Sequence, residues 1–178
     1  MGTGQTILTI VAIVLLGTNV VSVNRTFLQH GAVLQQTEIG LFGVSLATSL
    51  LEEARGKAFD RYSLVGFPQN LSQLTPYDSL GPEVGETRAT YDDFDDYNWM
   101  KLGIHRDSII VRADTIKIPD VDTFLRWSKV CYVDTTDPNE YRATRTWMKK
   151  LTVYVKGSLA SDTIPIQMSY LFSNWSFR

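Results

Sequence analysis

The chain has 178 residues, with 17 Lys and Arg against 19 Asp and Glu, and its formal net charge is −2. A chain so close to neutral lacks the basic footprint of a nucleic-acid-binding protein, so we expect no nucleic-acid partner. Cys131 is the only cysteine, and the two histidines, His30 and His105, lie far apart. These counts exclude an intramolecular disulfide and argue against a zinc site or a Cys–His nucleophile.

The first predicted element is an apolar helix. No Asp, Glu, Lys or Arg precedes Arg25, and residues 7–23 are almost all apolar. A helix needs about 20 mostly apolar residues, within a range of roughly 17–25, to cross the hydrocarbon core of a bilayer. The segment is therefore long enough to span a membrane. A cleaved secretory signal is the alternative, but no basic region precedes the apolar run and no small-x-small cleavage site follows it.

The helical pattern continues beyond the apolar segment. Apolar residues recur at helical spacing as far as Phe59, and no proline occurs before Pro68. We predict one helix over residues 5–57, bent at some of its glycines. A coiled coil would need apolar heptads over three or four repeats, which this segment lacks. The second half of the helix offers one apolar face to a partner domain, formed by Leu46, Leu50, Leu51 and Ala54.

Residues 58–178 are predicted to form a β-rich head. Residues 62–103 contain several prolines and glycines and few apolar runs, which predicts a long, irregular connection. Four strand candidates follow at residues 107–118, 123–134, 146–157 and 162–175, and a hairpin-length loop joins the last two.

The alternation of side chains in the strand candidates predicts an antiparallel sheet with one covered face. In the third candidate, one face carries Trp147, Lys149, Leu151, Val153 and Val155. We expect the helix to cover an inner face made of Leu151, Val153, Val155, Ile164, Ile166 and Met168. The predicted fold class is therefore α+β, with a long N-terminal helix that spans a membrane in its first half and packs by its second half on an antiparallel β-sheet head.

An acidic stretch, "DDFDDYN", lies in the connection before the sheet. Asp92, Asp93, Asp95, Asp96 and Asn98 could bind calcium through oxygen ligands, but the stretch lacks the full spacing of an EF-hand loop. We predict a solvated acidic turn instead, with the interleaved aromatic residues packed against the sheet. The chain has no G-x-S-x-G motif and no glycine-rich phosphate loop, so we expect no enzyme activity and no cofactor.

The stretch "GQTILTI", residues 4–10, resembles the processing motif of type IV pilins and pseudopilins. "SLATSLLEEARGKAFD" likewise resembles the helix end of minor pilins, and "YDDFDDYNW" the turn that follows it in them. The resemblance implies that prepilin peptidase cleaves after Gly4, so that residues 1–4 are a leader and Gln5 begins the mature chain. Thr9 stands where the family usually has Glu, and the leader carries no basic residue.

The resemblance also implies a function. It predicts a structural subunit of a type IV pilus-like extracellular filament, which is a single-pass inner-membrane protein before assembly and which contacts copies of itself or other pilins. The assembly and membrane helix, roughly residues 7–23, then includes Thr9, Ile10, Ile13, Leu16 and Val20. The alternatives are a minor pilin or a type II secretion pseudopilin, in a periplasmic pseudopilus, and, in another class, a membrane-anchored monomeric binding head.

Overall fold

The computed structural model describes residues 2–102, 108–110, 112–158 and 164–174. The chain divides into two compact units, Met1–Ile39 and Gly40–Arg178. The sequence predicts a head that begins at residue 58, whereas the second unit begins at Gly40 and so includes the last turns of the long helix.

The long helix, α1 (Thr3–Arg55), has 53 residues and is close to the predicted range of 5–57. No proline interrupts its hydrogen bonds, and the basic side chain of Arg55 lies in the last turn, where it complements the negative end of the helix dipole. Gly56 follows directly, and the amide of Lys57 donates to the Ala54 carbonyl at 3.1 Å. The prediction of one long, uninterrupted N-terminal helix is confirmed.

The connection after α1 is mostly irregular, as the prolines and glycines indicate. It contains one short helix, α2 (Arg61–Val65), capped by the Asp60 side chain, which accepts from the Tyr62 amide at 3.2 Å. Four single 3₁₀ turns follow, at Leu71–Gln73, Tyr77–Ser79, Arg88–Thr90 and Asp95–Tyr97.

The described residues of the second unit form seven strands. The strands β1 (Met100–Leu102) and β2 (Ser108–Ile110) form a small antiparallel pair. The main sheet is antiparallel and has five strands in the order β3-β4-β6-β7, with β5 paired to β4. Its strands are β3 (Asp114–Ile118), β4 (Asp122–Val133), β5 (Tyr141–Arg142), β6 (Met148–Gly157) and β7 (Ile166–Ser173). The predicted α+β class and antiparallel sheet are confirmed.

Two details of the strand prediction are wrong. The first candidate, residues 107–118, is not one strand, because β2 pairs with β1 outside the main sheet and only β3 belongs to that sheet. Ile164 does not line the inner face, since it precedes β7 and is 82% exposed. Parts of the candidates, residues 107, 111, 162–163 and 175, lie outside the described residues, as does most of the predicted loop between the last two strands.

The end of α1 packs closely on the sheet within the second unit. A Cβ atom added to Gly43 would lie 2.5 Å from Cδ1 of Ile166 on β7 and 3.9 Å from Cγ1 of Val155 on β6. Glycine at this position therefore allows the helix backbone to approach the strands. The hydroxyl of Thr48 lies 3.7 Å from the sulfur of Met168, one helical turn further along.

Candidate functional site

The apolar segment of α1 belongs to the first unit, and its side chains are uncovered by the chain itself. Ile10, Ile13, Leu16 and Val20 are between 61% and 70% exposed. Within the described residues, α1 is the one helix that is long and apolar enough to cross a membrane, by its length and composition. Soluble proteins rarely leave so large an apolar surface in water, and a helix with this surface could anchor the chain in a membrane.

Three polar side chains within this segment donate to carbonyls of the helix itself. The hydroxyl of Thr9 donates to the Gln5 carbonyl at 2.8 Å, and Asn19 donates to the Leu15 carbonyl at 2.8 Å. Thr18 donates to the same Leu15 carbonyl at 2.9 Å. Because the donors of Thr9, Thr18 and Asn19 already have acceptors in their own helix, they can enter an apolar environment without being left unpaired.

Gly4 and Gln5 lie in the first turn of α1. A Cβ atom added to Gly4 would have no atom within 4 Å, so the packing of the described chain does not require glycine there. The Gln5 amide donates to the Gly2 carbonyl at 2.9 Å. Position 4 is therefore exposed in the described chain.

The predicted packing face of α1 lies against the sheet in the second unit. Leu50 and Ala54 are fully buried, Leu51 is buried, and Leu46 is half-buried. Ala47, which the sequence analysis did not select, is fully buried as well. Leu151, Val153 and Val155 of β6 are also buried, so an apolar layer separates helix and sheet.

A network of ion pairs and hydrogen bonds connects the end of α1 to the rest of the head. The guanidinium of Arg88 makes a two-pronged contact with the carboxylate of Glu53 on α1, and its Nη1 lies 2.5 Å from Oδ2 of Asp114 on β3. The same Asp114 oxygen lies 2.9 Å from Nη2 of Arg126, whose Nη1 donates to the Leu46 carbonyl at 2.9 Å. The hydrogen bonds from Arg88 lower the pKa of Glu53, because they stabilise its charged form.

The acidic turn is buried from Asp93 to Asn98, and only Asp92 is exposed, so the prediction of a solvated turn is wrong. Oδ1 of Asp93 accepts from the amides of Asp95 and Asp96, at 2.9 and 3.3 Å. Oδ2 of Asp96 accepts from the amides of Asp92 and Asp93, at 2.9 and 3.1 Å. These carboxylates replace water as partners of the backbone, which is why the turn can fold into the head.

One lysine neutralises part of this buried charge. Nζ of Lys149, on β6, lies 2.8 Å from Oδ2 of Asp60, 2.6 Å from Oδ1 of Asp95 and 2.9 Å from the Phe59 carbonyl oxygen. The ammonium also faces the rings of Phe59 and Tyr132, with centroids at 4.7 and 5.4 Å. All of these side chains are buried, so the ion pairs are shielded from water.

Asp93 lies beside this cluster, but its surroundings favour the protonated form of its carboxyl group. Burial, with the charges of Asp95 and Asp96 added to it, raises the pKa of Asp93 to about 9. Its Oδ2 has no hydrogen-bond partner among the described residues. Asp93 is therefore a carboxyl group that holds a proton at neutral pH.

The aromatic residues between the aspartates pack the turn on the sheet, as predicted. The ring of Phe94 meets that of Phe172 edge-on, with centroids 5.1 Å apart, and the Trp99 amide donates to the Ser128 carbonyl at 3.1 Å. Asn98 ties the turn to both sides: its Nδ2 donates to the Leu80 carbonyl and its Oδ1 accepts from the Val130 amide. The turn is thus a rigid part of the head.

Three basic residues, Lys149, Arg88 and Arg126, form buried or bridging ion pairs that were not predicted from the sequence. For Lys149 the sequence does indicate burial, because this residue shares a face of β6 with the apolar Leu151 and Val153. For Arg126 the only indication is its position in a strand, and the sequence gives no indication for Arg88. His30 is exposed on α1, and His105 lies outside the described residues.

Comparisons of the chain with known protein families, with curated proteins and with solved structures find no match. The long apolar helix joined to an antiparallel sheet is compatible with a pilin-like fold. The functional argument therefore depends on this architecture and on the chemistry of the described residues.

Proposed function

We propose that this protein is a structural subunit of a pilin-like extracellular filament, assembled through its apolar N-terminal helix. The observation that supports this proposal is the composition of α1. Its first part is an uncovered apolar surface with satisfied polar groups, and its last part is the buried helix of a folded head. A helix built in this way needs an apolar environment for its first part and already has one for its last part.

Two environments fit the first part of α1. A lipid bilayer covers it before assembly, so the precursor is a single-pass membrane protein. Neighbouring helices of the same kind cover it afterwards, because apolar side chains buried between helices are as well removed from water as in lipid. An inner-membrane precursor and an extracellular filament are therefore two states of one segment.

The processing step is the second part of the proposal. The "GQTILTI" motif makes prepilin peptidase the expected partner, with cleavage between Gly4 and Gln5. The open space around Gly4 makes this testable, because Gly4→Leu leaves the packing of the described chain unchanged. We expect wild-type protein in filaments to begin at Gln5 and Gly4→Leu protein to keep residues 1–4, as measured by N-terminal mass analysis. Wild-type filaments that retain Met1 would contradict the processing step.

Thr9 favours a minor pilin or a type II secretion pseudopilin over an abundant major subunit. In the resembled family, a carboxylate at this position pairs with the terminal ammonium of a neighbouring subunit. The Thr9 hydroxyl donates within its own helix and carries no charge, so it cannot set the register between subunits in that way.

Cysteine cross-linking of the full chain in its membrane tests the assembly. The native Cys131 is buried, and burial raises the pKa of its thiol to about 11. We therefore expect Cys131 not to react with thiol-specific cross-linkers. We expect Val20→Cys to give covalent dimers, because each chain then carries one reactive thiol. Val65→Cys, exposed on α2 of the head, is the control for random collision.

The alternatives give different results. A membrane-anchored monomeric binding head would give no more covalent dimer from Val20→Cys than from the control, and this result would contradict the proposal. Electron microscopy of the same material distinguishes long fibres from the short assemblies of a minor pilin or pseudopilin.

A further inference from the structure

A second cluster of carboxylates lies where the connection before the sheet meets the acidic turn. One carboxylate oxygen each from Glu83, Glu86 and Asp96 lies within 4.8 Å of the other two. We call these three residues the carboxylate trio. Glu83 and Glu86 are half-buried in a loop, and Asp96 is fully buried in the 3₁₀ turn at Asp95–Tyr97.

The loop that carries the two glutamates is held in place. The Leu80 carbonyl accepts from Nδ2 of Asn98, which fixes the start of the loop beside the acidic turn. Gly81, at φ +137°, makes the turn that follows, and a Cβ atom there would lie 3.3 Å from the Asn98 carbonyl oxygen. Further along, Oε2 of Glu86 accepts from the Glu83 amide at 3.0 Å. These hydrogen bonds and the turn at Gly81 therefore hold the two glutamates near Asp96.

The second observation concerns oxygens that lack partners. Oδ2 of Asp96 accepts from two amides, but its Oδ1 is buried with no hydrogen-bond partner in the described part of the chain. Oε2 of Glu83 is also buried without a partner there. A buried acceptor that is left unpaired costs free energy, and a charged one costs more than a neutral one. The trio thus contains two acceptors whose partner is missing from the described protein.

The charge of the trio is also poorly balanced. Nη1 of Arg61 lies 2.8 Å from Oε1 of Glu83, but the Arg61 side chain is largely exposed, so solvent screens this ion pair. Lys149, the buried cation nearby, is engaged by Asp60 and Asp95 instead. Three carboxylates in such close contact repel one another unless a proton or a cation lies between them.

We propose that Glu83, Glu86 and Asp96 bind a calcium ion. Calcium takes oxygen ligands at about 2.3–2.6 Å in a flexible geometry, so one ion can contact oxygens that are up to about 4.8 Å apart. Magnesium needs shorter distances of about 2.0–2.1 Å and near-ideal octahedral geometry, which fits this spacing less well. The ion would supply the partner for Oδ1 of Asp96 and for Oε2 of Glu83.

This site differs from a calcium loop formed by "DDFDDYN" alone. Of the aspartates in that stretch only Asp96 belongs to the trio, since Asp95 is paired with Lys149 and Oδ1 of Asp93 accepts two amides. The other ligands come from the preceding loop. The bound ion would join that loop to the acidic turn and so stiffen the connection between α1 and the sheet. The inference does not depend on filament assembly.

Isothermal titration calorimetry tests the site on the full chain in detergent micelles, after chelation and removal of the chelator. We expect one calcium ion to bind per chain, and added calcium to raise the melting temperature, because a ligand that binds the folded state stabilises it. Glu86→Gln should weaken calcium binding by about tenfold or more through the loss of one ligand charge. Glutamine keeps a carbonyl oxygen for the Glu83 amide, so the loop should still fold.

The control variant is Glu52→Gln, which removes an exposed carboxylate outside the trio and should bind calcium like the wild type. Glu83→Gln is the second test variant, and circular dichroism verifies that each variant is folded. The proposal is overturned if the wild type shows no calcium heat and no thermal shift at millimolar calcium. It is equally overturned if the Glu83→Gln/Glu86→Gln double variant binds as tightly as the wild type, or if magnesium binds as tightly as calcium.

Discussion

Replacement of Lys149 by methionine tests whether the buried ion cluster maintains the head. Methionine keeps most of the apolar stem but removes the ammonium that lies within 3 Å of Asp60, Asp95 and the Phe59 carbonyl. The two carboxylates would then be buried without a cation. Removal of one partner from a buried ion pair typically costs about 3–5 kcal/mol, because the remaining charge is shielded from water and has no opposite charge beside it.

That loss is large compared with the stability of a domain, which is about 5–15 kcal/mol. For a unit of this size, each kcal/mol lowers the melting temperature by about 3–4 °C, so we expect a decrease of about 10–20 °C. Thermal melts followed by circular dichroism measure this decrease.

The neighbouring residue provides the control. Among the described residues, Nζ of Lys150 makes long contacts, 3.3 Å to Asn139, 3.4 Å to the Pro138 carbonyl and 6.0 Å to the centroid of the Tyr141 ring. Lys150→Met should therefore change the free energy of unfolding by less than about 0.5 kcal/mol. Adding Asp95→Asn to Lys149→Met should recover part of the loss, because it removes one unpaired charge. A Lys149→Met head as stable as the Lys150→Met head would refute the reasoning.

Three further predictions concern the two units. Truncation before Phe27 should give a soluble, monomeric, folded head, as checked by size-exclusion chromatography; a truncated chain that still polymerises would place the assembly surface elsewhere. Leu50→Asp should unfold the head, because it buries a carboxylate without a partner, whereas Thr9→Glu should leave its melting temperature unchanged; a stable Leu50→Asp head would contradict the packing. Asp93→Asn should leave the melting temperature near pH 4 unchanged and raise it near pH 8. The reason is that the pKa of Asp93 is raised in the folded state, so the wild type becomes less stable as the pH rises from about 4 to 9. Equal pH profiles for the two proteins would contradict that shift.

Much of the fold could be predicted because its signals are local. A helix without proline and with apolar residues at helical spacing is recognisable from neighbouring residues alone, and α1 follows the prediction within two residues at each end. Alternation likewise locates β4, β6 and β7, because successive side chains of a strand point to opposite faces. The apolar segment at residues 7–23 and the "GQTILTI" motif can likewise be recognised from their own residues alone.

The role of an individual residue depends on its tertiary surroundings, since the same residue type serves different purposes in different places. Gly43 is a weak helix former by its propensity, and the close approach of Ile166 gives it its role. Asp93 and Asp96 belong to a stretch that is typical of an exposed turn, yet they are buried and accept the turn's own amides.

What the sequence by itself determined is therefore the α+β class, the apolar helix and the strands that receive it. Only the tertiary structure decided which charges are buried. Lys149 shares a face with Leu151 and Val153, but its partners Asp95 and Asp60 are 54 and 89 positions away. A charge can be buried only where an opposite charge reaches it, and that meeting depends on how distant segments pair. The same holds for Glu83, Glu86 and Asp96, whose oxygens converge because Asn98 ties one loop to another.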